Sequence, residues 1–158
     1  MRAAPVVLSA LLAVLAACSG GGAPQLEVGD AQSAEPVSGA SQIVLAITNH
    51  GDGDDALVGV DTDAAVAVEI HLTEIDDGQA TMRELAAAEL PAGETTRFRP
   101  GGLHLMLIGP DERVELGGTF DLTLEFDRSD PVTVPVDVVD LLDLTEPDDD
   151  EESVDHDG

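Results

Sequence analysis

The chain has 158 residues, which suits a single domain. It carries 33 acidic against 6 basic side chains, a formal net charge of −27, and every base is an arginine. A field of that sign repels phosphate backbones and anionic headgroups, so it argues against nucleic-acid binding and leaves cations or a basic protein surface as electrostatic partners.

The chain opens as a targeting segment. Met1-Arg2 gives a short positive start, and an apolar run broken only by Ser9 follows. At roughly 15 residues that run is short for a membrane span, which needs about 20. Leu15-Ala16-Ala17-Cys18 has the small residues before a cysteine that mark a bacterial lipobox. Residues 1–17 therefore read as a lipoprotein signal peptide, with Cys18 as the lipidated residue and the protein held outside the cytoplasm on a membrane. Cys18 is the only cysteine, so a lipidated chain has no free thiol and no disulfide, and the apolar core alone must hold the fold. Residues 18–24 are rich in glycine and read as a flexible linker.

A domain is expected over residues 25–145. Residues 26–31 hold one edge strand in a mixed stretch, and residues 43–48 form an apolar, β-branched strand. Asn49-His50-Gly51-Asp52-Gly53 is a turn, followed by a short strand over 56–60. Val66, Val68, Ile70 and Leu72 then alternate with Ala67, Glu69, His71 and Thr73, which puts His71 on the polar face of a strand. Asp76-Asp77-Gly78 is a hairpin-type turn. Residues 81–88, which include Met82, have an Ala and Glu content that tolerates a helix. Short strands are expected at 95–99, 103–108, 119–126 and 131–139. In the second of these, Leu103, Leu105 and Leu107 share the apolar face, and His104, Met106 and Ile108 share the other. About eight short strands at regular spacing predict an antiparallel β-sandwich or barrel. From Glu146 the chain has eight acids, one histidine (His156) and no base, so residues 146–158 are expected to be a disordered acidic tail.

Apart from Met1, the chain has only two methionines, and both fall in one pattern with two of its four histidines. Ten residues separate His71 from Met82, 21 separate Met82 from His104, and Met106 follows two positions on. Two thioethers and two imidazoles are a soft, neutral donor set, which suits Cu(I) far better than zinc, calcium or magnesium. Alternate residues of a strand point the same way, so His104 and Met106 make a two-pronged donor. In a sandwich, such loop-proximal positions can converge at one end, with Met82 reaching in from across the Asp76-Asp77-Gly78 turn. The absence of a mature cysteine excludes a blue-copper electron-transfer centre.

This pattern, His-x10-Met-x21-His-x-Met, resembles the mark of the periplasmic PCu(A)C copper chaperone family. The segments Val68-Glu69-Ile70-His71, Leu90-Pro91-Ala92-Gly93 and Pro100-Gly101-Gly102-Leu103-His104-Leu105-Met106-Leu107 are similar to that family's as well. The resemblance implies a cupredoxin-like β-sandwich of Greek-key type. It implies a Cu(I) site near the surface with His71, Met82, His104 and Met106 as metal ligands. It further implies delivery of copper to the Cu(A) centre of cytochrome c oxidase, in subunit II, often beside a Sco-type thiol protein. Leu72 stands where the family often has methionine, and the tail lacks the residues for the second copper site some members carry.

Copper sequestration would use the same ligands without a specific acceptor. A metal-free structural β-sandwich lipoprotein would explain the anchor and strands but not the register of both methionines with His71 and His104. An enzyme is not expected, because no serine sits in a nucleophile elbow and no mature thiol is present. Four ligands from one chain are compatible with a monomer.

Overall fold

The computed structural model describes residues 21–144. The expected signal peptide, Cys18 and the acidic tail with His156 lie outside them. Among the described residues the chain forms eleven strands and no helix: β1 (Leu26–Val28), β2 (Ala31–Ala34), β3 (Ala40–Asn49), β4 (Asp55–Asp61), β5 (Ala65–Asp76), β6 (Gln79–Leu85), β7 (Ala88–Leu90), β8 (Thr95–Phe98), β9 (Leu103–Pro110), β10 (Thr119–Phe126) and β11 (Val132–Val139).

Nine strands follow one hydrogen-bonded path, β6-β5-β9-β3-β2-β11-β10-β4-β7. β3 is what folds that path over a core. Its first half pairs with β9 and β2, while its second half leaves them to pair with β8 and β1. The inward residues of the alternating strands then meet: Ile43, Leu45 and Ile47 of β3, Leu105 and Leu107 of β9, Leu122 and Leu124 of β10, and Val136 of β11, with Phe98. A side chain of this size stabilises by about 1.5–3 kcal/mol when fully buried, and this protein has no described crosslink to assist.

Three expectations need correction. Residues 26–31 are not one edge strand but parts of two, and β2 lies inside the sheet between β3 and β11. The sheet is not wholly antiparallel, because β2 and β11 run parallel, with Ala31 opposite Val136. The helix-tolerant segment is a strand: β6 pairs with β5 through seven residue pairs, from Ile70 opposite Leu85 to Asp76 opposite Gln79. A hairpin turn decides that last case. Asp77 and Gly78 both take positive φ, 48° and 80°, as a type I′ turn requires, and this twist drives the chain back antiparallel.

The turn after β3 is held from inside. Asn49 is fully buried, and its amide oxygen accepts from the N–H groups of Gln25 and Gly51 at 3.1 and 3.0 Å. Its Nδ2 donates to the carbonyls of Gly53 and Leu90, each at 2.9 Å. Residues 22–25 pass so close to this turn that a Cβ on Gly51 would stand 2.2 Å from the Ala23 carbonyl oxygen. The turn therefore needs glycine there.

Candidate metal centre

The site is built on three adjacent strands at one end of the sheet path. β5 lies between β6 and β9, and directly opposed residues of such a ladder share a face. His71 of β5 stands opposite His104 of β9, and Glu69 opposite Met106. On the other side Thr73 stands opposite Met82 of β6, one diagonal step from His71. All four expected ligands thus lie on one face of β6-β5-β9. They lie along the ladder near the sheet edge, with His104 the second residue of β9 and beside the turn that ends at Gly102.

The two imidazoles lie edge to face, with ring centres 5.8 Å apart and planes at 76°. His71 Nδ1 is 3.1 Å from the Met82 sulfur, and its Nε2 is 2.8 Å from a carboxylate oxygen of Glu69. A carboxylate only accepts, so the proton of neutral His71 belongs on Nε2 and the lone pair on Nδ1. His104 is arranged the other way round. Its Nδ1–H donates to the Gly102 carbonyl at 2.9 Å, which leaves the lone pair on Nε2. That Nε2 is buried and has no hydrogen-bond partner. A buried polar nitrogen without a partner carries a cost of about 1–3 kcal/mol, and an ion would supply the missing partner.

Exposure is graded across the site. His104 is fully buried, the His71 side chain is 15% exposed, and Met82, on the outermost strand, is 49% exposed. The set offers two imidazole lone pairs and two soft thioethers, which fits a soft monovalent ion. Among the described residues no group of three or more His, Cys, Asp or Glu side chains is placed to hold a metal ion. Sequence reasoning named these four residues as expected ligands and did not name Glu69, whose carboxylate lies 2.8 Å from His71 Nε2. Its position two residues before His71, on the same strand face, was the available signal.

The profile of the LpqE-like lipoprotein family matches residues 25–138. The chain belongs to that family. The LpqE-like chain is also 37% identical over 93 residues to Lxx21020 of Leifsonia xyli subsp. xyli, a protein with a lipoprotein name. That match spans 57% of this chain and 56% of the relative, so just over half of each is compared. Among solved structures, it is similar to the Cu(I)-bound form of DR1885 from Deinococcus radiodurans, with 25% identity, a TM-score of 0.60, and 73% of this chain and 78% of that one covered. It is similar in fold to the copper-bound PCuAC domain from PmoF2, with 21% identity, a TM-score of 0.62, and coverage of 73% and 92%. The LpqE-like chain therefore has the cupredoxin-like β fold of PCuAC domains, as the resemblance implied.

Proposed function

We propose that this protein is a copper chaperone that holds one Cu(I) through His71, Met82, His104 and Met106. The observation that carries the reading is the convergence of two histidine lone pairs and two thioethers on one sheet face, with His104 Nε2 buried and unpartnered. The copper-bound state of similar structures supports it. The protein works outside the cytoplasm, anchored to the membrane by a lipid on Cys18, a reading supported by the lipoprotein family. It delivers its ion to the Cu(A) centre of cytochrome c oxidase subunit II, beside a Sco-type thiol protein.

Transport sets two opposed demands on such a site, retention and release. Neutral ligands leave the ion's charge at +1, so handing it on requires no separation from thiolate charge. The half-exposed Met82 is the ligand a partner reaches first, and the buried His104 is the last to let go. No catalytic step is involved.

Titration of the full chain in detergent with Cu(I), against a chromophoric chelator under reducing conditions, tests the reading. Wild type should hold one equivalent tightly. Met106→Leu should stay folded, since such swaps cost under about 1.5 kcal/mol, but bind Cu(I) much more weakly. Failure of both proteins to compete with the chelator would leave a metal-free structural lipoprotein.

A further inference from the structure

We propose that Glu69 is a positioning residue for the ion. It holds the proton of His71 on Nε2 and so keeps the Nδ1 lone pair facing the sulfur of Met82. This rests on the copper reading above and assigns to that site a residue that is not a ligand.

Three observations converge on it. Glu69 Oε2 lies 2.8 Å from His71 Nε2, and the opposite ring nitrogen lies 3.1 Å from Met82 Sδ. Glu69 stands directly across from Met106, so the strand register carries its carboxylate on the ligand face. The second histidine is fixed by an equivalent device, with the Gly102 carbonyl on His104 Nδ1. Each imidazole is thus anchored through one nitrogen and presents the other. Without Glu69, His71 can put its proton on Nδ1, and that tautomer has no lone pair to give on the Met82 side.

A carboxylate does more than a carbonyl in this place. Acceptors behind a ligating histidine fix the ring and raise its basicity, and losing them costs about 10- to 100-fold in metal affinity. The negative charge also sits one imidazole away from a monovalent ion, in a site with no other charged group among its proposed ligands. At 34% side-chain exposure Glu69 lies on the rim and not in the core, so its replacement leaves the apolar packing intact.

The test uses the full chain in detergent, labelled with 15N-histidine and free of copper. Long-range 1H–15N spectra should show wild-type His71 protonated on Nε2 and His104 on Nδ1. Glu69→Val, which keeps a strand-forming residue, should shift His71 toward the other tautomer and leave His104 unchanged. Its Cu(I) affinity should fall by about tenfold or more. Glu69→Gln keeps an accepting oxygen, so it should retain the tautomer and recover most of the affinity. Wild-type His71 protonated on Nδ1 would overturn the inference without any variant. So would a Glu69→Val protein with an unchanged tautomer and unchanged affinity, and that outcome would leave the copper reading standing. A wild type that binds no Cu(I) would overturn both.

Discussion

Asp55 is buried at the start of β4, and its carboxylate is surrounded by donors. It accepts from the N–H groups of Ala56, Arg128 and Ser129 at 2.8, 2.9 and 3.0 Å, and from the Ser129 hydroxyl at 2.5 Å. Burial pushes its pKa up, but the Ser129 hydroxyl and the three N–H groups outweigh that and hold it below the ordinary 3.8. The sign of the pH effect follows. The folded protein prefers the ionised form, so this contribution to stability is fully present above 3.8 and is lost as pH falls through the lower folded value. Wild type should therefore lose stability on acidification in that window, and Asp55→Asn, already destabilised at neutral pH, should lose less. Urea midpoints measured from about pH 6 downward check this. Nothing in the local sequence marked Asp55, since Asp52, Asp54 and Asp55 look alike until the fold brings Arg128 and Ser129 to one of them. His71, Met82, His104 and Met106 stood out as proposed ligands because two scarce residue types fall at defined spacings. Glu69 did not, because only the fold shows which ring nitrogen its carboxylate meets.

β6 shows why an element can be misread while its key residue is not. Its composition suits a helix, but the type I′ turn before it and the long β5 beside it leave strand pairing as the way to satisfy its backbone. Similarly, residues 26–31 read as one strand because the break at Gly29-Asp30, which separates β1 from β2, carries only a weak turn signal. Among the described strands β6 pairs only with β5, and residues 79–84 are all exposed. Bound Cu(I) would tie Met82 on this edge through His71 on β5 to His104 on β9, making the ion a staple for the strand. Amide hydrogen exchange in β6 should therefore slow several-fold on loading, while β7, at the far end of the path, stays unchanged. Loaded protein with unchanged exchange in β6 would remove Met82 from the ligand set.

Across the whole molecule, the charge of −27 is a standing self-repulsion that folding must overcome. Raising salt from about 0.01 M to about 0.15 M shortens the screening length from about 30 Å to about 8 Å. The thermal midpoint of the metal-free protein should rise over that range, and a flat or falling midpoint would mean that local ion pairs such as Arg113 with Asp63 and Asp111 dominate instead. The all-β class was legible from alternation and turn spacing, but the parallel pair was not, since it depends on a strand near the start meeting one near the end. That pair also sets the timing of assembly. β11 fills the gap between β2 and β10, so during synthesis and export the sheet stays open on two sides until residue 139 is available. Closing so long a loop is slow. The final strand thus acts as a completeness check: a chain cut short of it exposes two bare edges that invite aggregation, and only a finished chain can seal itself.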